Sequence, residues 1–124
     1  MAEVRVLVVD DQEPFRRAMA AVVDETDGFV VVGAAASGEE SLLLAARLDP
    51  ELVLMDVHLP GIDGMEAARR IRDSGQELLV MLLSTYDEEE LDYADSGAAA
   101  YVPKGLFGPE RLVEEWTAAS ARAS

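Results

Sequence analysis

Residues capable of charge-dependent chemistry follow directly after apolar segments of the chain. They are Asp10, Asp11, Asp56, Ser84, Thr85 and Lys104. Each alone could be a helix cap, a turn residue or a solvated lysine, but their matching positions favour a shared site. Neighbouring carboxylates repel one another and raise each other's pKa, so the group predicts a hard divalent cation, Mg²⁺ or Mn²⁺.

A carboxylate in such a site can also attack phosphorus and form an aspartyl phosphate. Mg²⁺ commonly binds one or two carboxylates together with a phosphate oxygen, while an ammonium and a hydroxyl balance the remaining charge. Asp56 is the best-placed nucleophile because the apolar segment before it is central in the predicted sheet. The residues therefore predict a metal site that binds a phosphate group and can accept it on an aspartate.

Composition excludes several other classes of site. The 124 residues suit one domain, and ten basic against 25 acidic residues give a net charge of −15. We expect no direct nucleic-acid binding, because this charge repels phosphate backbones. There is no cysteine and His58 is the only histidine, which excludes disulfides, thiolate zinc sites and multi-histidine sites. No apolar run approaches the roughly 20 residues that cross a bilayer, so we expect a cytoplasmic protein without membrane contact.

Apolar runs predict the elements that position these residues. Strands are predicted at 4–9, 29–32, 52–55, 78–83 and 99–102, and a helical pattern follows each one. Phe15, Ala18, Met19, Val22 and Val23 mark the apolar face of the first helix. Alternation of strands and helices predicts a doubly wound α/β fold with a parallel sheet, whose ligands bind beyond the carboxyl ends of the strands. Residues 118–124 lack an apolar stripe and are interpreted as a frayed helix end or the start of a linker, after a domain at 1–117.

Four motifs along the chain resemble the receiver domain of bacterial response regulators. They are Val-Val-Asp10-Asp11, Met55-Asp56-Val-His-Leu-Pro60-Gly61-x-x-Gly64, Leu-Leu-Ser84 and Gly97-Ala-x-x-Tyr101-Val-x-Lys104. The resemblance covers essentially the whole chain and implies a flavodoxin-like sheet in strand order 2-1-3-4-5. It also implies a signalling switch that takes a phosphoryl group from a sensor histidine kinase.

The resemblance implies a role for each matching residue. Asp56 is similar to the phosphoacceptor, Asp10 and Asp11 to the acidic pair that holds Mg²⁺, and the His58 backbone carbonyl to a further ligand. Ser84 resembles the switch hydroxyl and Lys104 the lysine that pairs with the phosphoryl group. Tyr101 resembles the aromatic residue that changes between outward and inward rotamers, although it could also be an ordinary strand aromatic.

One departure from the family pattern concerns Lys104. Many receivers have proline after this lysine, whereas here Gly105 follows it and Pro103 precedes it. A non-proline residue there is similar to the NarL/LuxR-type branch, whose members carry a C-terminal helix-turn-helix domain that binds DNA. The chain is therefore interpreted either as a receiver cut from a longer transcription factor or as a free-standing receiver, and the linker-like residues 118–124 favour the first. The resemblance also implies phosphorylation-dependent homodimers.

Two rival functions make different demands on these residues. Aspartate-nucleophile phosphatases need a second aspartate two residues after the first, and that position is His58. A receiver fold kept only as a protein-binding module would be favoured by loss of a site residue, and none is lost. We therefore predict a non-enzymatic switch, with at most slow self-phosphorylation and autodephosphorylation. His58 and Tyr86, each two residues past a site residue, are predicted to shield the phosphoryl group from water.

Overall fold

The computed structural model describes residues 3–85 and 93–123 of the chain. The strands are β1 (Val4–Val9), β2 (Phe29–Ala35), β3 (Leu52–Asp56), β4 (Leu79–Ser84) and β5 (Ala100–Pro103). The α-helices are α1 (Glu13–Asp24), α2 (Gly38–Leu48), α3 (Gly64–Asp73) and α4 (Pro109–Ala123). Short 3-10 helices cover Tyr93–Ser96 and Lys104–Leu106. The acidic segment 87–90, which follows the fourth predicted strand and is typical of a helix start, lies outside the described residues.

The five strands form one parallel sheet in the order β2-β1-β3-β4-β5, which confirms the predicted fold class. Side chains alternate between the two faces of each strand. Leu7, Val9 and Met55 pack in a core with α2 and α3, while Val6 and Val8 pack with α1 and α4 on the other face. Both faces are therefore covered, as the continuously apolar strands require.

Local sequence explains how two of the helices begin. The Ser37 side chain accepts a hydrogen bond from the Glu40 N–H at 3.0 Å, and the Asp63 side chain accepts one from the Glu66 N–H at 2.8 Å. Both caps satisfy N–H groups that a first helical turn leaves without a partner. Among the described residues, no helix has the length and apolar character that spanning a membrane would require.

Three local features go beyond what the sequence patterns indicated. β2 continues three residues further than the β-branched run, to Ala35, and pairs with β1 across an irregularity at Val6 and Leu7. Helix α4 continues to Ala123, where Ala119 is buried and the Arg122 guanidinium donates to the Ala99 carbonyl at 2.9 Å. Phe15, which the helical spacing assigns to the apolar face of the first helix, lies near the start of α1 and is 41% exposed.

Candidate functional site

The carboxyl ends of the parallel strands bring the chemically active residues to one edge of the sheet. Asp10 directly follows β1, Asp56 ends β3 and Lys104 directly follows β5. Val9 pairs with Met55 across the sheet, so Asp10 and Asp56 lie side by side. Ser84 ends β4 opposite Pro103, the residue before Lys104. The parallel register therefore gathers residues that are far apart in the sequence.

Three carboxylates form the centre of the site. Asp10, Asp11 and Asp56 each offer a carboxylate oxygen within 4.8 Å of the others, and within the described parts of the chain this is the one such group. Asp10 and Asp56 are buried, whereas Asp11 is exposed. Such a set of hard oxygen donors, open to solvent on one side, fits a divalent cation that keeps some of its waters.

Lys104 bridges two of these carboxylates. Its Nζ lies 2.9 Å from Asp10 Oδ2 and 3.4 Å from Asp56 Oδ2, and its side chain is only 15% exposed. A positive charge between two buried carboxylates offsets part of their mutual repulsion. The lysine therefore already lies within reach of any group carried by Asp56.

Backbone N–H groups orient the two buried carboxylates. The Gln12 N–H donates to Asp10 Oδ1 at 2.9 Å, and the His58 N–H donates to Asp56 Oδ1 at 3.2 Å. In both cases the second oxygen of the carboxylate is the one that faces Lys104. Each carboxylate is thus held by a backbone N–H at one oxygen and by the Lys104 ammonium at the other.

The Asp56 carboxyl has a raised pKa. Burial is the largest cause, because it penalises the charged form. The positive charge of Lys104 and the hydrogen bond from His58 lower the pKa, and the neighbouring Asp10 raises it. Burial prevails in this balance, so the ionised Asp56 is destabilised relative to an exposed aspartate.

The loop after β3 is held close to Asp56. A Cβ atom on Gly64 would overlap the Asp56 carbonyl oxygen and lie 2.9 Å from Val57 Cα. The Gly64 N–H donates to the Val57 carbonyl at 2.8 Å, which closes the loop. Gly61 has a φ of +73°, a conformation that favours glycine. The close approach at position 64 and the positive φ at position 61 explain why the motif around Asp56 has glycine at both positions.

The residues predicted to act as switches and those predicted to shield the phosphoryl group have different surroundings. Ser84 and Tyr101 are both buried, and Tyr101 packs in the core that contains α2 and α3, so its ring points inward. Thr85 is exposed and does not join the buried group. His58 is exposed, and Tyr86 lies outside the described residues. The shielding role of His58 and Tyr86, and the metal-ligand role of the His58 carbonyl, stay predictions.

Two residues near the site were not predicted as part of it. The Arg16 guanidinium donates to the Asp10 carbonyl at 2.8 Å, and the Phe15 ring centroid lies 4.1 Å from Lys104 Nζ. Both belong to the first turn of α1, which starts three residues after Asp10. The short connection is the one sequence signal that could have indicated them.

The segment around Lys104 has a defined geometry despite the unusual Pro103 and Gly105. Pro103 is extended, with φ −60° and ψ 137°, and residues Lys104–Leu106 form a 3-10 helix. The Phe107 N–H donates to the Lys104 carbonyl at 3.3 Å and closes this turn. This turn follows directly after β5, and the Lys104 side chain at its start reaches the carboxylates.

Comparison with protein families gives a match over most of the chain. The family described as the response regulator receiver domain matches residues 6–117. The chain is 43% identical over 104 residues to the response regulator GacA of Pseudomonas protegens, which covers 82% of this chain and 49% of that protein. It is 40% identical over 105 residues to a protein-glutamate methylesterase/protein-glutamine glutaminase of Alkalilimnicola ehrlichii, covering 82% of this chain and 27% of that protein. The chain thus spans about half the length of GacA and less of the methylesterase.

Solved structures with a similar fold are also response regulator domains. The signal receiver domain of the putative response regulator NarL from Mycobacterium tuberculosis superimposes with a TM-score of 0.89 and 29% identity, over 97% of this chain and 98% of that one. The response regulator domain of Thermotoga maritima CheB gives 0.81 and 27%, over 95% of this chain and 97% of that one. Both of these response regulator domains therefore share the fold of this chain.

Proposed function

Because the chain belongs to the family of response regulator receiver domains, we propose that it is a phosphorylation-controlled switch whose phosphoacceptor is Asp56. On this proposal the chain does not have the methylesterase or glutaminase activity for which one relative is named. Its own chemistry is limited to slow self-phosphorylation and autodephosphorylation. The donor in the cell is the phosphohistidine of a sensor histidine kinase. The proposal rests on the Asp10, Asp56 and Lys104 cluster at the sheet edge.

The arrangement around Lys104 is the observation that carries this proposal. One ammonium lies within 3.4 Å of the carboxylates of both Asp10 and Asp56. Of the three clustered carboxylates, Asp56 ends the central strand β3, and the other two are provided by the loop after β1. An acceptor carboxylate, an acidic pair and a cation gathered at one sheet edge supply the charges that phosphoryl transfer to a carboxylate needs.

The donor set of the acidic pair fits Mg²⁺. Asp10, Asp11 and Asp56 supply only hard oxygen atoms, and the exposure of Asp11 leaves room for waters and for a phosphate oxygen. The His58 carbonyl is proposed as a further ligand. When bound, the ion neutralises charge on the phosphate oxygens during transfer. Without the ion, Lys104 lies between the two buried carboxylates and offsets part of their charge.

The chemical step is a displacement at phosphorus. An Asp56 carboxylate oxygen forms the new O–P bond, and the P–N bond of phosphohistidine breaks, with its electron pair returning to the imidazole ring. With acetyl phosphate as donor, the P–O bond breaks and acetate leaves. Lys104 turns from the carboxylates to the new phosphoryl oxygens, which carry more negative charge.

The modified state is read through Ser84 and Tyr101. The phosphoryl group adds about two negative charges and three acceptor oxygens, so the Ser84 hydroxyl and Lys104 gain partners that exist only after transfer. Such differential contacts are what shift a conformational population. Tyr101 is buried in this structure, and we propose that phosphorylation stabilises that inward position when Ser84 moves.

Output and branch are proposed from the relatives. The chain resembles proteins of the NarL/LuxR branch, and its GacA relative is about twice as long. We propose a cytoplasmic protein in which the receiver controls homodimerisation or a C-terminal DNA-binding domain. The receiver itself, with its charge of −15, does not bind DNA.

Intact-mass measurement with a small donor tests the proposal. Wild-type protein incubated with acetyl phosphate and Mg²⁺ should gain one phosphate mass, and chelation of the metal should prevent the gain. The Asp56→Asn protein should gain none, while an Asp63→Asn control, changed at an exposed aspartate seven residues later, should behave as wild type. A phosphate gain in Asp56→Asn equal to that of the wild type would refute the assignment.

A further inference from the structure

The Lys104 ammonium lies between two carboxylates and an aromatic ring. Asp10 and Asp56 contact it from the strand ends, and the Phe15 ring centroid lies 4.1 Å from Nζ. This distance is well within the roughly 6 Å at which a ring face attracts a cation. Phe15 is thus the one aromatic residue found over this ammonium among the described residues.

The surroundings of Phe15 show that core packing does not account for its position. The side chain is 41% exposed, although it belongs to a helix that buries Met19 and Val23 in the core. Phe15 instead forms one wall of a small apolar pocket of about 210 Å³ between α1 and the turn after β5. The pocket is lined by Phe15, Ala18, Met19, Val22, Leu83, Lys104 and Phe107.

A lysine without such a wall would be poorly fixed. Its flexible four-carbon stem loses rotamer freedom when it is held in one geometry. The two carboxylates contact this side chain through Nζ, and Asp56 changes its charge when it is modified. A ring face restrains the ammonium without forming a bond that must be broken when the ammonium turns to a new anion.

We propose that Phe15 is a positioning residue that keeps the Lys104 ammonium beside Asp56. The effect of this placement on phosphoryl transfer rests on the proposed function, whereas the placement itself does not. A cation–π contact of this kind is worth about a two- to fivefold change in an equilibrium or rate. Phe15 touches neither donor nor acceptor and acts only through Lys104.

Lys104 is the only lysine in the chain, which allows a direct measurement. Protein labelled with ¹³C-lysine gives one set of Cε–Hε signals, and a ring face over the ammonium shifts them upfield by its ring current. We expect an upfield shift in metal-free wild type, relative to the same protein in denaturant. The shift should be lost in Phe15→Leu, kept in Phe15→Trp and kept in Phe107→Leu, a control that removes a ring from the same pocket.

The transfer reaction gives the second readout. With acetyl phosphate and Mg²⁺, Phe15→Leu should show a saturating phosphorylation rate about two- to fivefold lower, restored in Phe15→Trp and unchanged in Phe107→Leu. Mg²⁺ affinity should not fall in Phe15→Leu, because the three carboxylates are unaltered. A fall in Mg²⁺ affinity would indicate general distortion of the site and would overturn the positioning role.

The two claims fail in different ways. If the wild-type lysine signals show no upfield shift, or Phe15→Leu keeps the shift, the placement of Lys104 by Phe15 is wrong, whatever the protein does with phosphate. If the shift behaves as expected but the rates of all four proteins are equal, Phe15 has no role in transfer. If wild type gains no phosphate while the shift is present, the proposed function fails and the placement stands.

Discussion

At the scale of single residues, Asp56 combines burial with a charge. Its raised pKa means that the folded state binds a proton more readily than the unfolded state does. The associated stabilisation is present at acid pH, below the unfolded pKa, and is lost as the pH rises through the raised folded value. At neutral pH the ionised Asp56 therefore destabilises the metal-free protein.

This balance predicts that Asp56→Asn is more stable than the wild type at pH 7 without metal. The amide keeps a hydrogen-bonding group of the same shape and removes the cost of burying the charge, as well as the repulsion from Asp10. The melting temperature should rise by a few degrees at pH 7, and the difference should shrink as the pH falls toward the pKa of an ordinary aspartate. A variant that melts lower than the wild type at pH 7, or a difference independent of pH, would contradict the account of the charge.

Mg²⁺ should relieve the repulsion among Asp10, Asp11 and Asp56. Binding to the folded state stabilises it by RT ln(1 + [L]/Kd), which is roughly 1–3 kcal/mol at saturating metal. Millimolar Mg²⁺ should raise the melting temperature of the wild type and of an Asp24→Ala control, which is changed at an exposed acid at the end of α1. The same rise in Asp11→Ala would show that the acidic pair is wrongly assigned.

At the scale of elements, the loop between β3 and α3 depends on Gly64. Because a Cβ there meets the backbone of Asp56 and Val57, Gly64→Ala must displace the loop or the strand end. We expect a loss of about 1–3 kcal/mol of stability, as for other overpacked sites. Chemical denaturation measures this loss, and Gly105→Ala is the control, because the added Cβ there meets no atom of the described residues within 4 Å. Equal stability of the two variants would disprove the close approach.

Prediction from sequence succeeded where a local pattern determines the element. The run from Val4 to Val9 and the apolar segment before Asp56 predicted the bounds of β1 and β3 to within one residue. Buried parallel strands need such continuous apolar residues. The end of β2 was missed, since Gly33 and Ala34 carry no strand signal and are held by pairing with β1. The contact of Phe15 with Lys104 was also missed, because it depends on a residue far away in the sequence. Local patterns also placed the carboxylates at one edge, but not the bridging position of Lys104.

At the scale of the whole molecule, self-association must overcome a large negative charge. The surface between α1 and α4 exposes Val113, which is 43% exposed, and is lined by Glu25, Asp27, Glu110 and Glu114. Two copies that meet through this face would bring like charges together, and salt screens such exposed charges over about 10 Å at 0.1 M.

We therefore expect beryllofluoride and Mg²⁺ to produce dimers whose fraction increases with salt concentration. Light scattering at several protein and salt concentrations measures this, and Asp56→Asn, which lacks the acceptor, is the control. An unchanged monomer mass at high micromolar concentration, in protein shown to bind the analogue, would mean that the output acts through another domain. Dimers that dissociate as salt increases would instead indicate a face with opposite charges.

Chemical trapping of the acyl phosphate tests the central claim most directly. Borohydride reduces an aspartyl phosphate to homoserine, and trypsin releases Asp56 in the peptide 48–69, between Arg47 and Arg69. After treatment with acetyl phosphate and Mg²⁺, sequencing of the peptides by mass spectrometry should find homoserine at position 56, and none when the metal is chelated. Homoserine at Asp10, Asp11 or Asp63 instead, or at no position in protein that has gained a phosphate mass, would contradict the assignment of Asp56 as phosphoacceptor.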